Sequence, residues 1–154
     1  MDILVIGGSG FLGSTLSKKL MESGHNVCGT FRSHKYQDFV YLDVLYEVSI
    51  QQLLKNYQPN VIIWAIADIN AEPQLTFTGL PNIFRNMPQK CKFVYISTNV
   101  YNDSIGNKSE NDLPIQQQGQ IYAVCFISKD LAYLIILWEN RADNVNFALF
   151  ILSV

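Results

Sequence analysis

Hydrophobic and polar positions alternate along the chain in two ways that predict different elements. Uninterrupted apolar runs of strand length, such as residues 3–6, are typical of strands buried on both faces of a sheet. Other segments place apolar side chains at helical spacing, as at Leu12, Leu16 and Leu20. Strands are predicted at residues 3–6, 26–31, 40–42, 61–65, 93–96 and 147–152. Helices are predicted at residues 11–22, 49–57, 81–86 and 119–138, with Ser49 as the cap of the second.

This alternation of strands and helices predicts the architecture of the chain. Strand–helix–strand units are typical of a parallel sheet with helices on both faces. A length of 154 residues is enough for one domain with a sizeable core. Prolines limit the segment 66–92 to a short helix, and the polar stretch 99–118 predicts a loop. We therefore expect one α/β domain over residues 1–154, with the doubly wound parallel sheet of the Rossmann fold.

The charge balance and the cysteines narrow the range of partners and compartments. Eleven basic and thirteen acidic side chains give a net charge of -2, whereas a nucleic-acid surface requires a basic patch. The longest apolar run, residues 131–138, is too short to span a bilayer. The cysteines at positions 28, 91 and 125 are far apart and predict buried thiols in a reducing compartment. We expect a soluble cytoplasmic protein with neither a nucleic-acid nor a membrane partner.

A glycine-rich loop, GGSGFLG, stands between the first predicted strand and the first predicted helix. In such a loop Gly7 permits a tight turn, Gly10 lets a pyrophosphate approach the backbone, and Gly13 allows close packing of helix on strand. The N–H groups and the dipole at the helix start favour phosphate. A turn that binds nothing is the alternative, but strand, loop and helix occur in the order that dinucleotide binding requires. A phosphate-only P-loop is excluded because no Gly-Lys-Ser/Thr follows.

The end of the second predicted strand bears on the choice of dinucleotide. An acidic residue usually holds the adenosine ribose there, but residues 28–33 read CGTFRS and contain none. Arg32 is suited to pair with a 2′-phosphate, so NADP is favoured and NAD is the alternative; a solvated surface arginine is the other interpretation. Asp43, directly after the third predicted strand, either accepts a hydrogen bond from the adenine amine or caps a helix.

Five segments together carry a family likeness: GGSGFLG, GTFRS, LDV, WAIA and VYISTNVY. In this order they resemble the extended short-chain dehydrogenase/reductases, which are similar to the NAD-dependent epimerases and dehydratases. The likeness is greatest to the dTDP-4-dehydrorhamnose reductase branch, which acts on nucleotide-linked sugars, and it covers essentially the whole chain. A later segment, Glu110-x-Asp112-x-Pro114, is similar to the acidic loop that precedes the active-site helix of that branch.

The resemblance implies hydride transfer between a nicotinamide dinucleotide and a sugar carbonyl. In the family a tyrosine exchanges the proton, a Ser or Thr hydroxyl binds the reacting oxygen, and a lysine one turn after the tyrosine lowers its pKa. Thr98 is the candidate hydroxyl and Tyr122 the candidate tyrosine; a strand-end cap and a core-facing side chain are their alternatives. The implied cofactor contacts are Gly7, Ser9, Gly10, Phe11, Leu12, Gly13, Thr30, Arg32, Asp43, Val44, Ala65, Ile66, Ala67 and Ser97.

The family's tyrosine–lysine pair is incomplete in this sequence. If Tyr122 is the family tyrosine, Phe126 takes the place of the lysine. If Lys129 is the family lysine, Cys125 takes the place of the tyrosine. The first alignment is preferred because Tyr122 is better spaced from the acidic loop. Phe126 supplies no positive charge, and Lys129 lies about 10 Å farther along a helix from Tyr122, so neither alignment keeps both members of the pair.

Three hypotheses follow from these observations and stay open, the last of them a relative that folds but has no role. The first is an NADP-linked oxidoreductase acting on a nucleotide-linked sugar. The second is a non-catalytic nucleotide-binding or regulatory module, with residues 119–138 as the surface for a second copy or a protein partner. The third is a truncated relative, since the chain stops at Val154 where the family continues into the lobe that binds the sugar nucleotide. His25 and His34 lack neighbours at metal-ligand spacing, so no metal is expected.

Overall fold

A computed structural model describes residues 1–68, 70–98 and 147–152 of the chain, and within them the predicted parallel sheet is present. Its strands are β1 (Asp2–Ile6), β2 (Asn26–Phe31), β3 (Val40–Tyr41), β4 (Val61–Trp64), β5 (Lys92–Thr98) and β6 (Phe147–Leu152). They lie in the order β3-β2-β1-β4-β5-β6, and every neighbouring pair is parallel. This order confirms the doubly wound α/β architecture.

The helices are α1 (Phe11–Glu22), α2 (Glu47–Asn56) and three consecutive segments after β4. Those segments are α3 (Glu72–Gln74), a π turn (Leu75–Gly79) and α4 (Leu80–Asn86). Among the described residues, none of these helices is both long enough and apolar enough to cross a membrane. The predicted loop 99–118 and the predicted helix 119–138 lie outside the described residues.

Alternate side chains of β1 enter two separate cores, which shows that both faces of the sheet are covered. Ile3 and Val5 pack with the inward side of α1. Leu4 and Ile6 belong to the larger core, in which Ile50 of α2 is also fully buried. A strand that is buried on both faces explains why the β1 segment is continuously apolar.

The structure corrects the bounds of two helices. Ser49 does not cap α2, because the helix begins at Glu47, whose acidic side chain in the first turn suits the helix dipole. The helical segment after β4 starts at residue 72 and not at residue 81. Pro73 stands in the first turn of that segment, where a missing N–H costs nothing, and Pro81 follows the wider π turn. Met87, before Pro88, is extended and ends the helix.

Candidate functional site

A cleft of about 430 Å³ lies at the carboxyl end of the sheet. Its walls are the last two residues of β2, the segments that directly follow β1, β2, β3 and β4, and one residue of the π turn. The strand order reverses between β1 and β4, and ligands of doubly wound sheets bind outside the carboxyl ends at such a reversal. Nine of the predicted cofactor residues line this cleft: Gly7, Ser9, Gly10, Thr30, Arg32, Val44, Ala65, Ile66 and Ala67.

The glycine loop turns sharply between β1 and α1, and two of its glycines are required by the protein itself. Gly7 has a φ of +82°, a conformation that side chains rarely adopt. A Cβ on Gly13 would lie 2.1 Å from the carbonyl oxygen of Gly7. The first helical turn therefore packs directly on the loop, and Gly13 contacts the loop from below instead of lining the cleft.

Gly10 is different because the protein gives little reason for a glycine there. Its φ is -72°, which any residue adopts, and an added Cβ would meet only the carbonyl oxygen of Gly7, at 3.3 Å. Gly10 also lines the cleft. The absence of a side chain at this position leaves the backbone open to the cleft.

The start of α1 presents backbone N–H groups next to this opening. Gly10 is the N-cap, no side chain caps the helix, and the first turn contains no acidic residue. The N–H of Ser14 donates to the carbonyl of Gly10 at 2.8 Å, so the amides before it belong to the unsatisfied first turn. Phe11 is 95% exposed and Leu12 is half-buried; neither side chain lines the cleft. An uncapped helix start of this kind is suited to bind an anion.

Thr30 of β2 holds the glycine loop in place from the neighbouring strand. Its side chain is 2% exposed, and its Oγ1 accepts a hydrogen bond from the N–H of Gly7 at 3.1 Å. The carbonyl of Thr30 accepts a second one from the N–H of Ser9, also at 3.1 Å. The side chain and the backbone carbonyl of Thr30 therefore each anchor one residue of the loop.

Arg32 lines the cleft after β2, whereas Asp43, its ion-pair partner, does not line the cleft. The Arg32 side chain is 52% exposed and the Asp43 side chain 13%, with Nε and Oδ2 separated by 3.9 Å. The other carboxylate oxygen, Oδ1, accepts the N–H of Leu45 at 3.0 Å. Asp43 thus closes a turn that precedes α2 and does not cap the helix, which begins after Tyr46.

Six residues line the cleft that were not among the predicted contacts. They are Phe31, Ser33, His34, Leu42, Asp68 and Leu75. Phe31, Ser33, Leu42 and Asp68 stand next to predicted contacts in the sequence, and His34 is two positions from Arg32, so proximity to the strand ends was the available signal. Leu75 comes from the π turn, an element that the sequence pattern did not reveal.

The catalytic candidates are only partly within the described residues. Ser97 and Thr98 are the last residues of β5, beside β4 at the same end of the sheet. Tyr122, Cys125, Phe126 and Lys129 lie outside the described residues. Their proposed roles therefore stay predictions.

The two described cysteines differ from the expectation that both are buried. Cys91 is buried, whereas Cys28 is only half-buried. Burial raises the pKa of the Cys91 thiol to about 11 and also raises the pKa of Cys28. Both are then protonated at neutral pH and poorly nucleophilic. Within the described part of the chain, no three His, Cys, Asp or Glu side chains are grouped to hold a metal ion.

Comparison with known proteins identifies the family to which the chain is similar. The model of the NAD dependent epimerase/dehydratase family matches residues 3–154, which is nearly the entire sequence. A comparison with curated proteins finds no match.

Solved structures share the fold over almost the whole chain. A hypothetical dTDP-4-dehydrorhamnose reductase from Sulfolobus tokodaii is 26% identical, with a TM-score of 0.71 over 98% of this chain and 56% of its own. The dTDP-glucose 4,6-dehydratase from Bacillus anthracis, solved in complex with NAD, is 17% identical, with a TM-score of 0.77 over 97% of this chain and 54% of its own. The L-threonine dehydrogenase from Clostridium difficile is 24% identical, with a TM-score of 0.74 over 97% of this chain and 52% of its own. The chain spans just over half the length of these structures.

Proposed function

This chain belongs to the NAD-dependent epimerase/dehydratase family, and on that premise we propose that residues 1–154 are the dinucleotide-binding domain of a nucleotide-sugar oxidoreductase that prefers NADP. The observation that carries the proposal is Gly10. The fold itself does not require glycine there, whereas a pyrophosphate that approaches the backbone does. The uncapped start of α1 supplies N–H groups for the same anion.

The arrangement of residues around the loop fits the two halves of such a cofactor. The glycine loop suits the pyrophosphate, and Val44 with Ala65, Ile66 and Ala67 offers apolar walls to an adenine ring. The side chain of Arg32, half-exposed at the end of β2, is suited to pair with a 2′-phosphate. No acidic residue occupies the end of β2, which supports NADP over NAD.

When bound, the nicotinamide supplies or accepts the hydride. In this proposal the Thr98 hydroxyl donates a hydrogen bond to the sugar carbonyl oxygen, and the Tyr122 hydroxyl holds the proton that this oxygen takes up. Phe126 offers no positive charge to stabilise a phenolate, so we expect slow turnover. The likeness to the Sulfolobus tokodaii structure supports a dTDP-linked 4-keto sugar as the substrate class.

The proposed setting of the protein follows from the same likeness. We propose a cytoplasmic protein whose small-molecule partner is a nucleotide-linked sugar. A second copy or a protein partner is proposed to pair through residues 119–138, whose sequence is strongly apolar. Sedimentation with and without NADPH tests self-association: a single species at the monomer mass under both conditions contradicts pairing with a second copy.

Turnover tests the oxidoreductase directly. Purified protein is mixed with NADPH and a dTDP-4-keto-6-deoxy sugar, and the absorbance of reduced nicotinamide is followed. We expect slow oxidation that Tyr122→Phe abolishes and Phe126→Lys accelerates, because the lysine restores the missing positive charge. If NADPH binds but is not oxidised by wild type or by Phe126→Lys, the oxidoreductase proposal fails.

The second candidate is a nucleotide-binding or regulatory module without catalysis. Phe126 or Cys125, standing where the family has its lysine or tyrosine, is the observation that favours it. This candidate predicts saturable NADPH binding with no turnover in any variant. Turnover that disappears in Tyr122→Phe would exclude it.

A further inference from the structure

Asn82 joins α4 to the turn that follows β3. The residue is 4% exposed, and its Nδ2 donates to the carbonyl oxygens of Val44 at 3.1 Å and Leu45 at 3.4 Å. These carbonyls belong to residues 43–46, which we call the 43–46 turn. Val44 in this turn is buried and lines the cleft. A side chain 38 positions away in sequence therefore fixes the backbone of a cleft-lining residue.

The orientation of the Asn82 amide is set at both ends. Arg85 Nη1 donates to Asn82 Oδ1 at 3.4 Å, which directs the NH₂ group towards the two carbonyls. Both donors of the amide are then used, and neither carbonyl is left unpaired in the interior.

The same helical segment also contacts the side chain of Val44. A Cβ on Gly79, three residues before Asn82, would lie 3.0 Å from Val44 Cγ2. The backbone and the side chain of Val44 are thus both held by residues 79–82. Leu75, one turn earlier, lines the cleft directly. This helix therefore determines the position of one cleft wall.

The 43–46 turn also carries the partner of Arg32. Asp43 Oδ1 accepts the N–H of Leu45, and Oδ2 faces the Arg32 guanidinium at 3.9 Å. A shift of the turn moves Val44 and Asp43 together, because they are consecutive residues of one backbone segment. The hydrogen bonds of Asn82 therefore act on the two groups at the β2 side of the cleft.

We propose that Asn82 is a positioning residue for the adenosine 2′-phosphate half of the cofactor. It holds the 43–46 turn so that Val44 forms the wall against the adenine and Asp43 keeps Arg32 in reach of the 2′-phosphate. The inference rests on the proposed function, since it assigns a residue to that same cleft. Asn82 touches no ligand itself and acts through the turn.

Two ligands, each matching one part of the cofactor, distinguish the positioning role of Asn82 from a general loss of structure. Adenosine 2′,5′-bisphosphate probes the adenine and 2′-phosphate side, and inorganic pyrophosphate probes the glycine loop alone. The variants are Asn82→Ala and the isosteric Asn82→Asp, which keeps the contact with Arg85 but turns an anionic oxygen towards two carbonyls. The matched control is Asn86→Ala: Asn86 donates to Glu47 Oε1 and to the carbonyl of Asn82, both at 2.9 Å, and so joins α4 to α2 away from the cleft.

We expect both Asn82 variants to bind adenosine 2′,5′-bisphosphate about 10-fold more weakly than wild type. This is the effect of one or two lost buried hydrogen bonds. Their affinity for pyrophosphate should change less than about 2-fold, and Asn86→Ala should bind both probes as wild type does. An equal loss for both probes, or an Asn86→Ala variant that behaves like Asn82→Ala, would overturn the proposal.

Two further outcomes are decisive. If the Asn82 variants do not fold, the exposed Arg85→Leu replaces them; unchanged binding of the bisphosphate by this variant overturns the proposal, and weakening confined to the bisphosphate supports it. A wild-type protein that binds neither NADPH nor the probes overturns the proposed function together with this inference. Wild-type binding with unchanged Asn82 variants overturns only the inference.

Discussion

Arg32, which lines the cleft after β2, forms an ion pair with Asp43, with 3.9 Å between Arg32 Nε and Asp43 Oδ2. Half of the Arg32 side chain is exposed, so this ion pair contributes little to the stability of the fold. The carboxylate orients the guanidinium without burying it. At 3.9 Å the contact is an ion pair and not a hydrogen bond, so Arg32 can bind a further anion through its guanidinium N–H groups.

Replacing Arg32 tests this assignment. We expect Arg32→Ala to weaken NADPH binding about 10- to 100-fold and to change NADH binding less than about 2-fold, because a charge-assisted hydrogen bond to the 2′-phosphate is lost. The control is Lys35→Ala, which removes the same charge from the same segment at a residue that does not line the cleft. Calorimetric titration with both dinucleotides measures the ratio of the NADPH affinity to the NADH affinity in each variant. Equal losses for NADPH and NADH, or the same loss in Lys35→Ala, would contradict the role of Arg32.

Two alanine substitutions in the glycine loop should separate folding from binding. Gly10→Ala meets one oxygen at 3.3 Å and exchanges one N-cap for a poorer one, so we expect a loss of about 1 kcal/mol in the free energy of unfolding. Its methyl group should nevertheless abolish dinucleotide binding. Gly13→Ala puts a Cβ 2.1 Å from a backbone oxygen, so its loss should be about 3 kcal/mol or more. Urea unfolding and NADPH titration of both variants measure the two effects, and normal NADPH binding by Gly10→Ala would contradict the site.

Thr30 provides a third test because its hydroxyl holds the N–H of Gly7. Thr30→Val keeps the shape of the side chain but leaves that N–H without its acceptor, so we expect about 1–2 kcal/mol of destabilisation and weaker NADPH binding. Thr30→Ser keeps the oxygen and should retain the binding. Thermal unfolding with and without NADPH compares the variants. A valine variant that binds and unfolds like the serine variant would show that the hydrogen bond does not matter.

The stability of the fold should fall at alkaline pH. Burial raises the pKa of Tyr57 from 10.0 to about 12, and the negative charges of Cys28 and Asp2 add to the rise. The unfolded tyrosine therefore loses its proton first, and above pH 10 the unfolded state binds fewer protons than the folded state. The contribution of Tyr57 to the free energy of unfolding is complete below pH 10. It is lost as the pH rises towards the folded pKa of about 12.

Tyr57→Phe isolates this contribution. The Tyr57 hydroxyl lies 2.9 Å from the carbonyl oxygen of Asn26 and 3.2 Å from that of Ile3, so the variant loses about 1 kcal/mol at neutral pH. Between pH of about 10 and about 12 the variant should lose less stability than wild type, while the Cys91 thiol continues to contribute in both. Urea unfolding across this pH range gives the slope of the free energy of unfolding against pH for wild type and for the variant. Identical slopes would contradict the assignment to Tyr57.

The sheet was predictable from sequence because its strands are apolar on both faces and occur in chain order with their helices. The helix after β4 was underestimated, since prolines at positions 73 and 81 suggest breaks. In the structure one falls in the first turn and the other follows a π turn, so neither ends the helix. Local sequence rules do not reveal such compensation.

The candidate site was also predictable only in part from the sequence. Gly7, Arg32 and Ala65 follow strand ends, where a parallel sheet brings them together, and the structure places them in one cleft. The link from Asn82 to Val44 was not predictable, because it joins residues 38 positions apart through a side chain. A sequence pattern also does not show that the protein has room for a Cβ at Gly10 but not at Gly13.

Titration of the wild-type chain with NADPH and with NADH tests the central claim that this cleft is a dinucleotide site. The account predicts saturable binding of one NADPH per chain, with NADH bound more weakly, and loss of both signals in Gly10→Ala. Absence of binding by either dinucleotide to the folded wild-type protein, or equal binding by wild type and Gly10→Ala, would contradict it.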